Sequence, residues 1–314
     1  MQIITVGWNP AVDRIVRSDQ IFPDTHQKVQ LVARLAAGKA ANVSRALALL
    51  GVDSIAMGIV GRGEADLFSS QLEALGPGKI QCQWILTDQN TRENITLLSR
   101  QDPHETHLRQ DGFHLADAEI AALEGQLFSQ TRSNDVVIFA GALPDGLSVR
   151  RHASIVDRLN KSGIRVVIDT SGDALRHAFS QPLWLIKPNL EELSEALRQN
   201  IPNDPRAIVA ALEAANAQPE NILVSRGADG AVLVSRTGHW TGSLKSPGPI
   251  VRTVGCGDHL LAGFVASAIK GASGPKSLTA ALAVASLRAI SPDPGFFDAS
   301  QVGRLSQITE IILL

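Results

Sequence analysis

The sequence predicts an α/β fold, with a mainly parallel sheet flanked by helices and a small β-sheet set apart from it. Three observations carry that expectation. Short apolar runs alternate with amphipathic stretches along most of the chain, the pattern of βα units that cover both faces of a parallel sheet. The 314 residues are 44% hydrophobic and 19% charged, enough for a large core and too apolar for a disordered chain. Between residues 80 and 100, two strand-like runs follow one another with no helical stretch between them, so an antiparallel patch is expected there.

In chain order, Ile3-Ile4-Thr5-Val6 reads as a buried strand. Val29, Leu31, Ala33 and Leu35 alternate with Gln30, Val32 and Arg34, approximately the period of a half-exposed strand. Val43, Leu47 and Leu50 stand at helical spacing, with Gly51 as the natural C-cap. Ile80, Cys82, Trp84 and Leu86 alternate again, and another strand follows around Ile95 to Leu98. Asp135 to Ala140 is an apolar run. Residues 149–161 are amphipathic, with Ile155 and Leu159 four apart and Gly163 after them. Arg165–Asp169, Leu183–Ile186, Ile222–Ser225 and Ala231–Ser235 read as strands, separated mostly by helical stretches at 190–199, 206–217, 258–270 and 276–290. The expected division is a large domain of residues 1–8, 37–79 and 111–314, and a small β lid of 9–36 and 80–110.

Lys and Arg total 29 against 31 Asp and Glu, a formal net charge of -2. That balance argues against a general nucleic-acid binder and leaves room for a local basic pocket for one small anion. Cys82 and Cys256 are the only cysteines, so free thiols in a reducing cytoplasm are expected. The opening residues carry no basic stretch ahead of an apolar one, and no run of about 18 apolar residues occurs. Neither a nucleic acid nor a membrane is expected as partner.

In open α/β sheets, ligands sit beyond the carboxyl ends of the strands. Polar and glycine-rich segments follow several of them. Thr253-Val254-Gly255-Cys256-Gly257-Asp258 leads into a helix. Its glycines permit a tight turn, and a helix start offers unpaired amides to an anion. Asp258 reads equally well as an N-cap and as a general base. Ala37-Gly38-Lys39-Ala40-Ala41-Asn42 opens another helix. Lys39 and Asn42 offer donors there, although simple capping explains them too. It is not a Walker loop, because Ala33 and Ala40 occupy positions that need Gly and Ser or Thr. Asn9, Pro10 and Asp13 follow the first strand, and Arg92 within Thr91-Arg92-Glu93-Asn94 is either a phosphate grip or a surface arginine. Asn189 and Glu192 after Lys187 suit either Mg²⁺ held through water or a capping box. Ser225 to Gly230 reads as a turn or as a nucleotide-contacting loop. Cys256, at a helix start, suggests a lowered thiol pKa and sensitivity to oxidation.

Taken jointly and in this order, these segments resemble the ribokinase-like sugar kinases, and within them the phosphofructokinase-B branch. Gly141-Ala142-Leu143-Pro144, Asp169-Thr170-Ser171-Gly172 and Ile186 to Leu193 belong to the same resemblance. It implies a Rossmann-like domain with a β-sheet lid, ATP and Mg²⁺, and a phosphorylated ketohexose as acceptor. The alternating apolar strands of the lid suit a closed monomeric lid and pairing across a homodimer equally well. By the same resemblance Asp258 matches the catalytic base, and Gly255, Cys256 and Gly257 the anion hole. Asp13, Gly38, Lys39, Asn42 and Arg92 match sugar or sugar-phosphate contacts. Lys187, Asn189, Glu192, Ser225 and Gly227 match the nucleotide and Mg²⁺ side, with Glu192 and Asn189 reaching the metal through water. The chain departs from the family pattern at Ala37, Ala40, Ala140, Ala142, Cys256 and His259.

Overall fold

The computed structural model describes residues 1–20, 25–99, 105–245 and 248–314. Residues 21–24 and 100–104, which the sequence assigns to the lid, lie outside the described residues. The first half of the chain forms β1 (Ile3–Gly7), β2 (Ala11–Ser18), β3 (Gln30–Ala37), α1 (Lys39–Leu49), β4 (Ser54–Gly61), α2 (Ala65–Glu73), β5 (Ile80–Thr87), β6 (Glu93–Ser99), β7 (Glu105–Arg109) and α3 (Asp117–Gln130). Then come β8 (Val136–Ala140), α4 (Val149–Lys161), β9 (Arg165–Asp169), α5 (Gly172–Ala178), β10 (Leu185–Ile186), α6 (Leu190–Leu197) and α7 (Pro205–Ala214). The chain finishes with β11 (Asn221–Ser225), β12 (Ala231–Ser235), β13 (Gly238–Ser243), α8 (Cys256–Ala268), α9 (Gly274–Ile290), α10 (Val302–Gln307) and β14 (Glu310–Leu313).

Ten strands make one sheet in the order β14-β13-β12-β11-β10-β9-β8-β1-β4-β5. The pairings from β11 across to β5 are parallel, and β12, β13 and β14 close the other edge antiparallel. Side chains leave a strand alternately to its two faces, so each buried strand feeds two cores. Ile4, Val6, Val137 and Phe139 pack with α3 to α7, while Ile3, Val136 and Ile138 pack with α1, α8 and α9. That double burial is why these strands read as unbroken apolar runs.

A separate sheet of four strands runs β3-β2-β6-β7. One expectation is corrected here. The run from Ile80 is not part of this small sheet: β5 pairs parallel with β4 at the edge of the large one. Its alternation comes from being an edge strand, with different neighbours on its two faces. Trp84 packs edge-on against Phe68 of α2 and donates Nε1–H to Ser69 Oγ at 3.0 Å. Gln83 faces α3, where its Oε1 accepts from Gln126 at 2.9 Å and also from Gln130. Period two reports one face unlike the other, not which sheet the strand joins. The chain returns to the small sheet after β5, where β6 pairs parallel with β2 and antiparallel with β7.

The helix expected from residue 43 starts earlier, at Lys39. Gly38 precedes it with φ 104°, and a Cβ there would stand 3.1 Å from Pro10 Cα. Only glycine takes that backbone angle at no steric cost, so Gly38 lets α1 start directly against the β1–β2 connection.

Candidate active site

The helix expected from Asp258 also begins earlier. Gly255 is its N-cap, with φ 83°, and Cys256 is its first residue. Asp258 is therefore the third helical residue, and the N-cap reading is set aside. No side chain caps this start, and the Cys256 amide makes only a long 3.4 Å bond to Thr253 O. The next amides, with the positive end of the helix dipole behind them, are left for an anion.

Asp258 is 5% exposed. Asn42 of α1 donates Nδ2–H to its Oδ2 at 2.8 Å, and Asn42 Oδ1 accepts from Arg45 at 2.9 Å. Burial, then the like charge of Asp169, pushes the Asp258 carboxyl up to about 6. A carboxylate with a pKa so close to neutrality is suited to accepting a proton.

Asp169 ends β9, fully buried. Lys39 Nζ lies 2.8 Å from its Oδ1 and Lys187 Nζ 3.2 Å from its Oδ2. Lys39 also reaches Glu192 Oε1 at 3.6 Å. Burial alone would raise the Asp169 pKa, but the two ammonium groups outweigh it and hold the carboxyl below its usual range. Burial likewise disfavours the Lys39 cation, and Asp169 and Glu192 overcome it, so its pKa is raised. The family resemblance matches Lys39 to the sugar contacts; in the structure its ammonium lies against Asp169 and Glu192, with the Lys187 ammonium on the other oxygen of Asp169.

Asn189 and Glu192 form a capping box at the start of α6. Asn189 Oδ1 accepts from the Glu192 amide at 2.7 Å, and Glu192 Oε2 accepts from the Asn189 amide at 2.9 Å. Asn189 also bridges to Ser225 at the end of β11, beside the tight turn at Gly227. Lys187, Asn189, Glu192, Ser225 and Gly227 thus sit at the carboxyl ends of neighbouring strands β10 and β11. No group of three or more metal-ligating side chains occurs among the described residues.

Between the small sheet and α1 opens a cleft of about 800 Å³, solvent at its mouth included. Asp13 of β2 and Asn94 of β6 line it and are joined by a 2.8 Å bond from Asn94 Nδ2 to Asp13 Oδ1. Asn42 and Arg45 of α1, Thr96 of β6, His107 and Arg109 of β7, Arg252, and Arg288 of α9 add to the polar wall. Asp258 stands one hydrogen bond behind this wall, through Asn42. Among the described residues, none of these four arginines has a carboxylate within 4.0 Å. Burial pulls the Arg45 guanidinium down to about 10, and Arg288 pushes the same way.

Arg92 is not among the cleft-lining residues. It donates to Pro10 O at 3.2 Å, Asn9 O at 3.3 Å and Asn94 Oδ1 at 3.4 Å, tying the start of β6 to the β1–β2 connection. The expectation for Cys256 is corrected: burial pushes its thiol pKa up, more than the nearby Arg288 lowers it. His259, a departure from the family pattern, is structural. Its Nδ1 lies 2.8 Å from Gly255 O, its ring packs edge-on against Phe297, and burial pushes it down to about 3.

The sequence motifs assign no role to Asp169, Arg45, Arg109, Arg252 or Arg288. Two of them carried a signal. Asp169 is the one acid ending an apolar strand on the ligand-binding edge, and Arg288 is the only charged residue between Lys276 and the end of α9 at Ile290.

Residues 3–297 match the model of a family described as pfkB family carbohydrate kinase. A 1-phosphofructokinase of Vibrio cholerae is 31% identical over 313 residues, 100% of this chain and 97% of that protein. A tagatose-6-phosphate kinase of Staphylococcus epidermidis is 28% identical over 99% of each chain. Phosphofructokinase-2 from Escherichia coli, in a complex with substrates and products, superposes with a TM-score of 0.86 at 22% identity, over 98% of this chain and 99% of that one. That last likeness speaks for the fold alone. With a family match across nearly its whole length and an acid set behind a glycine turn at a helix start, the chain belongs to the pfkB family of carbohydrate kinases, phosphotransferases with an alcohol group as acceptor.

Proposed function

We propose that this protein transfers the γ-phosphoryl group of ATP to a hydroxyl of a phosphorylated ketohexose, fructose 1-phosphate first and tagatose 6-phosphate or fructose 6-phosphate next. The observation that carries the reading is the cleft whose four arginines have no carboxylate within 4.0 Å among the described residues and which leads through Asn42 to Asp258. Such a cleft suits an acceptor that already bears a dianion, because guanidinium groups bind phosphate strongly where water is scarce. The names of the relatives at 31% and 28% identity point to the same substrate class.

In this mechanism the acceptor hydroxyl gives its proton to Asp258 as its oxygen bonds to the γ-phosphorus. The bond from that phosphorus to the bridging oxygen breaks, and ADP departs with the electron pair. Amides at the start of α8 stabilise charge on the group in transfer. Asn42 orients the Asp258 carboxylate. Asp13 and Asn94 hold sugar hydroxyls, and Arg109 and Arg252 hold the phosphate that the sugar brings. The small sheet closes over the cleft and excludes water, the competing acceptor.

Nucleotide phosphates lie against Lys187, Asn189, Ser225 and Gly227, with Lys39 neutralising charge beside them. Mg²⁺ fits this side only through its water shell: Glu192 has one carboxylate oxygen tied in the capping box and the other facing Lys39. Bound there with the nucleotide, the ion would neutralise phosphate charge.

The test is ADP formation from ATP and Mg²⁺ with each of the three sugar phosphates and with free fructose. Turnover of at least one phosphorylated sugar, well above the free sugar, is expected. Asp258→Asn should lower kcat by about 10² to 10⁴. Turnover of free sugars only would sink the acceptor assignment, and full activity in Asp258→Asn would sink the mechanism.

A further inference from the structure

Three side chains converge on the cleft face of the Gly255 turn. A Cβ placed on Gly255 would stand 3.6 Å from Arg288 Nε, 3.8 Å from Asn42 Nδ2 and 3.9 Å from Asp258 Oδ2. On the other side, a Cβ on Gly257 would stand 3.4 Å from Lys187 Nζ. The turn is bracketed by two cations, and they differ in kind. Lys187 is matched by Asp169 at 3.2 Å. Arg288 is 6% exposed and donates Nη1–H to the Asp293 carbonyl oxygen at 3.1 Å. It has no carboxylate within 4.0 Å among the described residues.

The anchor on Asp293 fixes the guanidinium, so little reorganisation is needed when charge arrives. Position decides which charge. The accepting hydroxyl must lie within hydrogen-bond reach of Asp258, and Arg288 flanks the same point. A ketohexose 1- or 6-phosphate that accepts at its opposite terminal hydroxyl holds its own phosphate at the far end of the sugar. Arg109, on β7, lines the same cleft.

We propose that Arg288 is a catalytic residue of the transfer, its guanidinium touching the phosphoryl group in flight and stabilising the charge on its oxygens. This rests on the reading that the turn of residues 255–258 receives that group. Arg288 makes and breaks no covalent bond. Its role is that of a cation built into the chain beside the helix-start amides, and such an arginine contributes about 10³ to 10⁵ in other phosphotransferases.

The experiment is steady-state kinetics of Arg288→Met, Arg288→Lys and Arg288→Ala beside wild type and Asp258→Asn, with melting curves for all. Arg288→Met should lose about 10²-fold or more in kcat, with the sugar-phosphate KM changed by no more than about threefold. Arg288→Ala should regain at least about fivefold of its turnover with added guanidinium ion, which a purely structural role would not allow. A KM increase at unchanged kcat would overturn the proposal and make Arg288 an acceptor-binding residue. Unchanged kinetics would overturn it outright. Should the Met and Ala variants fail to fold, Arg288→Lys decides, because the ammonium keeps the charge without the guanidinium's reach. A drop of about tenfold or more in its kcat at constant KM supports the proposal, and wild-type kcat overturns it. If wild type turns over, Asp258→Asn is inactive and Arg288→Met keeps full kcat, this assignment alone fails. If wild type phosphorylates no sugar phosphate, it falls together with the functional reading.

Discussion

The two sides of the Gly255 turn treat charge in opposite ways. On the Lys187 side, Asp169 is shared by Lys39 and Lys187, and Glu192 sits by Lys39. Cations and anions are matched within the protein. On the cleft side, Arg45, Arg109, Arg252 and Arg288 line a wall with Asp13, and among the described residues none of the four has a carboxylate within 4.0 Å. Ion pairing inside a protein offsets desolvation, whereas unmatched cations stay costly until an anion arrives. On the proposed function, the first cluster holds its charges within the fold, and the second keeps its arginines for an incoming anion.

The largest effect should appear where the matched cluster is broken. Asp169→Asn strands the buried Lys187 ammonium and should cost about 3 to 5 kcal/mol of stability, most of it from Lys187 because Lys39 is about a third open to solvent. Denaturant unfolding reads this directly, and a loss below about 1 kcal/mol would break the comparison.

Arg252→Met should do the reverse. Its buried Nε has no hydrogen-bond partner, and its bond to Pro292 O is long at 3.4 Å. Stability should change by less than about 1 kcal/mol, while KM for the sugar phosphate rises about 10- to 100-fold, the worth of one charge-assisted hydrogen bond. Affinity for ATP should stay as it was. An equal weakening of ATP would place Arg252 on the wrong side of the turn.

The smallest effect is a shift in pH dependence. As the proposed base, Asp258 must be ionised to act, so kcat should fall as the pH drops through about 6. Asp169 contributes to that raised value as a like charge. Asp169→Asn should therefore move the acidic limb to lower pH, measured below the variant's melting temperature. An unmoved limb would mean that burial alone sets the base. Stability runs with opposite signs at the two acids. The raised pKa of Asp258 favours the fold in acid and loses that contribution as the pH rises through about 6. The lowered pKa of Asp169 favours the fold above the ordinary carboxylate value, and the contribution disappears as the pH falls.

Much of the architecture was legible along the chain. The strand at Arg165–Asp169 and the helix at Val149–Lys161 appear with the expected bounds. Others could not be read. Every residue of β4 is buried, so it shows no alternation, and β5 alternates without declaring its sheet. In the site, glycines and an acid at a helix start mark themselves by spacing. Asn189 and Glu192 form the capping box that their spacing also allowed.

What the residue order determined alone was the alternation of helix and strand, the glycine turn before Asp258 and the ordered motifs of a sugar kinase. Those are local properties, set by periodicity and by the backbone angles that glycine permits. Only the tertiary structure decided that Lys39 joins Asp169, that Arg92 is tied to backbone carbonyls, and that arginines from α1, β7 and α9 share one cleft. The separations are large: Lys39 and Asp169 are 130 residues apart, and Asn42 and Asp258 are 216 apart. Charges so far apart in sequence acquire partners, or go without them, only when packing brings their elements together and removes the water between them.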